Sequence, residues 1–256
     1  MRELSILVIG DSCEDEYVYG DCNRLNPEGP IVVLDRSGVD IKPGMAANVA
    51  ANLRSFGCRV NLITQKEKIR KTRFVDRKSN YQLLRVDDTP EVTPVSAPQV
   101  RMAFMHDTYD AIVISDYDKG FLDDVRLRVI CDNFSGPIFV DTKKKSLFDK
   151  KNVFFKINKK EYDALDKTCL PNDENLIVTL GSEGVRWRGI HFTPKKVNVF
   201  DVCGAGDTFL SALAVHYTMN LDMQKAIDFA NKSASISVQH PGTYQLTSED
   251  IKSLFE

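Results

Sequence analysis

The sequence predicts an α/β fold: a doubly wound, mostly parallel sheet flanked by helices, with a small antiparallel β lid. Three observations carry that prediction. Aliphatic runs such as Leu4–Ile9, Ala111–Ser115 and Leu176–Thr179 are apolar almost throughout instead of alternating, as strands buried on both faces must be. Stretches of helical period lie between many of them, so strand and helix alternate along much of the chain. Asp11, Asp116, Asp141 and Asn158 each fall just past a predicted strand, at the carboxyl edge where open α/β sheets gather ligands.

In chain order, Leu4–Ile9 is a strand that runs through Gly10 into an acidic stretch from Asp11 to Glu16. Asp11 and Asp15 are candidate ligand contacts there, with surface loop acids as the alternative reading. Tyr17–Gly20 and Ile31–Leu34 flank a loop holding Asn26-Pro27 and Gly29-Pro30, the pattern of a small antiparallel flap. A helix is expected over Pro43–Gly57, with Val49, Leu53 and Phe56 at core spacing and Gly57 as its stop. Asn48 and Asn52 share one face of it, and packing, solvent or a ligand are all open readings for them. Arg59–Thr64 is another buried strand.

Lys66–Lys78 is the most basic part of the chain and has few aromatics for base stacking. It reads as a solvated strand pair or as a site for an acidic sugar or phosphate. Pro98–His106 and Asp123–Phe134 have helical pattern, while Ile138–Val140 and Val153–Phe155 continue the strands. Gly184–Phe192 reads as a hairpin, and helices over Gly206–Met219 and Asp222–Gln239 close the chain.

At 256 residues and 43% hydrophobic content the chain can bury one large core, and a net charge of −2 gives no general attraction to nucleic acid or an anionic membrane. The six cysteines are scattered without metal-binding spacing and read as reduced thiols. Leu4–Ile9 is too short for a signal peptide or a membrane span, so a cytoplasmic location is expected.

The most informative stretch is Asp201-Val202-Cys203-Gly204-Ala205-Gly206-Asp207-Thr208, which leads into the apolar segment Phe209–Val215. A helix start leaves backbone N–H groups unpaired and partly positive, so the two glycines can bring bare amides to an anion. A carboxylate beside such a cradle makes sense as the base that takes a proton from the group attacking that anion. A purely structural glycine turn is the alternative and leaves Asp207 unexplained. Phe209 stands where a dinucleotide fingerprint needs its third glycine, and the chain contains no G-x-x-x-x-G-K-[ST], G-x-S-x-G or H-E-x-x-H sequence.

Asp201-x-x-Gly204-Ala205-Gly206-Asp207 resembles the signature of the ribokinase-like (PfkB) carbohydrate kinases, and Pro43-Gly44-x-Ala46-Ala47-Asn48-Val49-Ala50 resembles that family's N-terminal signature. Gly10-Asp11-x-x-x-Asp15-x-Tyr17-x-Tyr19-Gly20, Arg24-x-x-Pro27-Glu28-x-Pro30 and Ser115-Asp116-Tyr117-x-Lys119-Gly120 are similar to the branch that phosphorylates D-glycero-D-manno-heptose 7-phosphate at C1, on the route to ADP-heptose for lipopolysaccharide. The resemblance runs over nearly the whole chain. It implies a single ribokinase-like kinase domain over residues 1–256, with a β lid over about 12–40 and 71–88.

By the same resemblance Asp207 is the base and the amides of Gly204, Ala205 and Gly206 form the anion hole. Asp11, Asp15 and Asn48 hold sugar hydroxyls, Gly44 allows close backbone approach, and Asp116 belongs to the same ligand-bearing edge. Arg24, Arg73 or a neighbouring basic residue receives the acceptor's phosphate by a charge-assisted bond. Asn158 and Glu161, in an Asn-x-x-Glu element, help place magnesium and the ATP phosphates; Thr179, Gly181 and Gly184 form the nucleotide-side loop, and Asn231 lines the adenine pocket. ATP and Mg2+ are the implied cofactors, with a monovalent cation as an optional addition, and a homodimer through the lid is the implied assembly, without nucleic acid or membrane. A catalytically inactive sugar-phosphate- or nucleotide-binding regulatory or scaffold protein, and a PfkB-type kinase for a different sugar, are the alternatives. Three departures stand out: Met45 replaces a glycine and is expected to reshape the sugar pocket, Cys203 replaces a threonine, and Gln65–Lys71 stands where the family has a further loop, helix and strand.

Overall fold

The computed structural model describes residues 3–106 and 108–255. β1 (Ser5–Gly10) is buried at all six positions, with Ile6 and Val8 in one apolar cluster and Leu7 and Ile9 in another, which is why the run shows no polar alternation. Through a single residue, Asp11, it continues into β2 (Ser12–Leu25), which pairs antiparallel with β3 (Val32–Met45). α1 (Ala46–Ser55) follows directly, β4 (Arg59–Ile63) lies beside β1, and β5 (Ile69–Asp76) and β6 (Gln82–Asp88) return to β2. The chain then runs through α2 (Ala97–His106), β7 (Ala111–Asp116), α3 (Asp124–Asp132), β8 (Ile138–Thr142), β9 (Val153–Asn158), α4 (Lys159–Ala164) and β10 (Leu176–Thr179). The hairpin β11 (Val185–Trp187) and β12 (Ile190–Phe192) precedes three helices, α5 (Ala205–Asn220), α6 (Met223–Ser237) and α7 (Ser248–Leu254).

The main sheet has the order β12-β11-β10-β9-β8-β7-β1-β4, parallel from β4 to β10, with the hairpin antiparallel at its edge. The second sheet, β3-β2-β5-β6, is the lid; its outer pairs are antiparallel and its central pair, β2 with β5, is parallel. The lid strands are far longer than the short flap read from the sequence. In β2 the buried residues Cys13, Asp15 and Tyr17 alternate with the half-buried Ser12, Glu14 and Glu16, so the acidic stretch is a strand and not a loop.

The helix expected from Pro43 begins instead at Ala46, because Pro43, Gly44 and Met45 complete β3. Met45 lies at φ 60° and ψ −132°, a conformation open to glycine and strained for a side chain. Its side chain is 3% exposed and belongs to the apolar cluster that includes Cys13, Ile69 and Val92, so it fills core. The C-terminal half holds two further helices not anticipated, α4 and α7, each with a capping box (Asn158 with Glu161, Thr247 with Asp250).

α5 is the buried axis of one helical layer. Asp207 through Val215 are buried in succession, packed between the sheet, α1 and α6. Ser211 Oγ donates to Val49 O at 3.2 Å and Thr208 Oγ1 to Asn52 Oδ1 at 3.3 Å, which fixes α5 against α1 through polar as well as apolar contacts. At the foot of the lid, Gln65 ties the segment after β4 to the start of β2. Its Oε1 accepts from Ser12 N at 3.0 Å, and its Nε2 donates to Ser12 O at 2.7 Å and Glu67 O at 3.1 Å.

Candidate active site

The parallel strands deliver Asp11, Asp116, Asp141 and Asn158 to one edge, with Ser115 opposite both Gly10 and Asp141 in register. The N-terminus of α5 meets that edge. Gly204, at φ 75°, starts the helix without a side-chain cap, and a Cβ there would lie 2.9 Å from Asn48 Nδ2. Asp201 shapes the approach: its carboxylate accepts from Cys203 N at 2.9 Å and Gly242 N at 2.8 Å. Ala205 N donates to Val202 O at 3.3 Å, while Asp207 N and Thr208 N donate to Gly204 O. Among the described residues the N–H groups of Gly204 and Gly206 donate to no acceptor, so the bare part of the cradle is these two amides, and Ala205 is partly engaged elsewhere.

Asp207 is 4% exposed; its Oδ2 accepts from Asn48 Nδ2 at 2.8 Å and its Oδ1 from Tyr117 Oη at 3.2 Å. Burial pushes its pKa up to about 6, with Asp141 adding to the rise and Asn48, Lys156 and Tyr117 opposing it. That value suits a group that must take a proton near neutral pH. Asn48 is itself held, since its Oδ1 accepts from Asn52 Nδ2 and Gln245 Nε2, each at 3.2 Å.

Asp11 is fully buried and its pKa is raised by that burial against the lowering effect of neighbouring amides. Its Oδ2 accepts from Tyr117 N at 2.8 Å and Lys119 N at 3.3 Å, while its Oδ1 has no partner. An orphan carboxylate oxygen of this kind is a natural acceptor for a ligand hydroxyl. Asp15, on β2, forms an ion pair with Arg73 on β5; Arg73 also reaches Cys203 Sγ at 3.8 Å and lies over the Tyr17 ring at 5.3 Å. A Cβ on Gly44 would sit 2.2 Å from Asp15 Oδ2, which is why that position is glycine. Burial pushes the Cys203 thiol up, so it is a protonated packing group and not a thiolate.

The other predicted residues fall in different places. Asp116, buried beside the edge, accepts from Thr142 Oγ1 at 2.7 Å and faces Lys144 at 3.6 Å, so it braces the strands. Arg24 pairs with Asp35 in the exposed part of the lid, and its nine-residue separation from Asp15 along β2 amounts to about 30 Å, so it stands apart from the cluster. Asn158 spends its side chain capping α4, accepting from Glu161 N at 2.9 Å, while Glu161 accepts from Asn158 N at 2.7 Å and pairs with Lys143. Thr179 Oγ1 donates to Ile157 O at 3.3 Å, Gly181 and Gly184 turn the chain from β10 into β11 at φ 62° and 100°, and Asn231 Nδ2 donates to Phe192 O at 3.2 Å. Among the described residues no group of three or more His, Cys, Asp or Glu is disposed to hold a metal ion, and no helix is long and apolar enough to cross a membrane.

Several residues of the site were not singled out in the sequence. Tyr117 lies within a quoted motif, but its bond to Asp207 spans 90 positions. Lys156 had a signal: it is the one charge inside the apolar run Val153–Ile157, and it is 4% exposed. It pairs with Asp141, which also meets Lys143 at 3.4 Å, and these lysines hold the Asp141 carboxyl below its usual range despite its burial. Lys71 lies over the Tyr117 ring at 5.3 Å and Lys143 at 4.9 Å.

Residues 153–250 match the pfkB family carbohydrate kinases. The bifunctional protein HldE of Nitratiruptor sp. is 30% identical over 295 aligned positions, covering 96% of this chain. The chain spans 64% of that relative's length. Ribokinase from Thermotoga maritima superposes with a TM-score of 0.70 at 18% identity, over 98% of this chain and 99% of that one. Arabidopsis thaliana ribokinase complexed with ribose and ATP gives 0.68 at 14% identity, over 100% and 99%. These two likenesses establish a shared fold, a ribokinase-like α/β architecture. The α5 glycine cradle and the buried Asp207 lie inside the segment that matches the pfkB family carbohydrate kinases, the family to which this chain is similar.

Proposed function

We propose that the chain transfers the γ-phosphoryl group of ATP to a hydroxyl of a sugar or sugar phosphate, the acceptor most consistent with its motifs being the C1 hydroxyl of a heptose 7-phosphate. The observation that carries the reading is the buried Asp207 carboxyl, fixed by Asn48 and Tyr117 beside the free amides of Gly204 and Gly206. Asp207 takes the hydroxyl proton as the oxygen attacks, and the amides receive the charge on the moving phosphoryl group. Asp11, through its orphan Oδ1, and Asp15 hold the sugar on the lid side.

The acceptor's phosphate is better matched by Lys71 than by Arg24 or Arg73. Lys71 faces Tyr117 with no carboxylate partner among the described residues, whereas Arg73 is committed to Asp15 and Arg24 to Asp35. The nucleotide lies toward Thr179, Gly181, Gly184 and Asn231. A magnesium ion held chiefly by phosphate oxygens and water fits a site with one nearby acid, Glu161, and would neutralise phosphate charge there. Exposed apolar side chains on the lid, Val32, Ile41, Leu84 and Val86 among them, favour a homodimer through that sheet.

The test is phosphate transfer from ATP with magnesium to a panel of free and phosphorylated sugars, read as ADP release and as phosphorylated product. Transfer to a heptose 7-phosphate is the expected result. Nucleotide or sugar binding without turnover across the panel would favour a binding protein instead.

A further inference from the structure

Lys156, on β9, is a lysine in a place that ordinarily excludes one: it is 4% exposed, inside a strand that is otherwise apolar up to Asn158. It stands at the end of a chain of alternating charge, Glu161 to Lys143 to Asp141 to Lys156, that crosses from α4 over the carboxyl ends of β8 and β9. Asp141 is shared between two ammonium groups, so it neutralises neither of them alone. The far end of the chain is the α5 cradle: a Cβ placed on Gly206 would lie 3.1 Å from Lys156 Nζ. A buried ammonium is thus set against a helix N-terminus, itself partly positive, and two like-signed features in a low-dielectric place repel. Stability does not account for this, because a buried ion pair is commonly matched or bettered by apolar residues of the same volume. A multiply charged anion between the ammonium and the amides reverses the sign of the interaction.

We infer that Lys156 is a catalytic residue of phosphoryl transfer, its ammonium binding the oxygens of the moving phosphoryl group together with the Gly204 and Gly206 amides, and that Asp141 and Lys143 position it. The inference rests on the kinase reading above. In the step itself the bond from the γ-phosphorus to the bridging oxygen of ATP breaks and a bond to the sugar oxygen forms. The hydroxyl proton goes to Asp207 and ADP leaves with the bridging oxygen. Lys156 neither gains nor loses a proton; it offsets charge on the three oxygens that are transferred.

The test uses the full chain with magnesium, ATP and whichever acceptor the wild type turns over best. Lys156→Met should lower kcat by about 10²–10³, the cost of removing one donor from a charge-stabilising hole, with the acceptor KM within about threefold of wild type. Lys156→Arg should recover part of that loss. Asp141→Asn should lower kcat more than it raises KM, as expected of a residue that acts through another. Because Lys156→Met leaves the buried Asp141 with Lys143 as its one remaining ammonium partner, the double variant Lys156→Met/Asp141→Leu serves as the folding control, and it should stay as slow as the single one. A folded double variant with kcat within about threefold of an active wild type overturns this inference alone. A wild type that moves phosphate to no acceptor overturns the kinase reading and this inference with it.

Discussion

Replacing Asp207 with asparagine should make the protein more stable and less active at once. Burial lifts the carboxyl from its ordinary 3.8 to about 6. Between those values the folded protein holds a proton that the unfolded chain has released, so stability falls as pH rises through the interval and stays lowered above it. A rise of about 2 pKa units corresponds to about 3 kcal/mol of destabilisation at neutral pH. Asparagine keeps the shape and can still accept from Asn48 Nδ2, but has no charge to desolvate. Urea unfolding at about pH 7.5 should therefore give the variant an unfolding free energy higher by about 2–3 kcal/mol, with the advantage gone at about pH 4. Turnover should fall by about 10²–10⁴, the worth of a general base. The wild type should lose kcat/KM below about pH 6 as Asp207 takes up its proton. Equal stability of the two proteins at both pH values would refute the desolvation argument, and undiminished turnover would refute the role of Asp207.

Three other outcomes follow from the geometry. Gly44→Ala sets a methyl carbon 2.2 Å from Asp15 Oδ2 and 2.5 Å from Cys13 Sγ, so Asp15 must move; kcat/KM should fall by about 10²-fold while circular dichroism stays unchanged. Lys71→Met should raise KM for a phosphorylated acceptor by about tenfold or more and leave KM for the unphosphorylated sugar where it was, measured by steady-state kinetics on both. Ile41→Asp, at a lid residue 54% exposed, should convert a dimer to a monomer in sedimentation velocity; a monomeric wild type would remove the basis for a lid interface.

Much of the sheet was legible because burial on both faces leaves a run such as Leu4–Ile9 no freedom to carry polar residues, and because strand ends must hand the chain to loops at one edge. The start of α5 was legible because Gly204 and Gly206 stand just before the apolar run Phe209–Val215. What escaped was set by contacts distant in sequence. Asn48 and Asp207 are 159 positions apart, and Gln245 reaches Asn48 across 197, so no local pattern announces either bond. The lid was underestimated because its inward face carries Asp15 beside Cys13 and Tyr17, and a buried aspartate matched by Arg73 defeats a reading that equates burial with apolarity. The start of α1 was misplaced because Met45 adopts a backbone conformation that its residue type argues against.

The junction between the two sheets is unusually short. β1 and β2 are separated by Asp11 alone, β3 meets α1 at Met45 without an intervening loop, and the two passages are tied by Ala46 N donating to Asp11 O at 2.9 Å and by Ser12 paired with Met45. Asp11, whose Oδ1 has no partner, is thus also the one residue between the first strand of the body and the first strand of the lid. Were the lid to turn on the body, Asp11 would lie at the pivot. A turn of about 10° there swings the tip of a 14-residue strand by about 8 Å. Contact at Asp11 and displacement at the rim would then be one mechanical event.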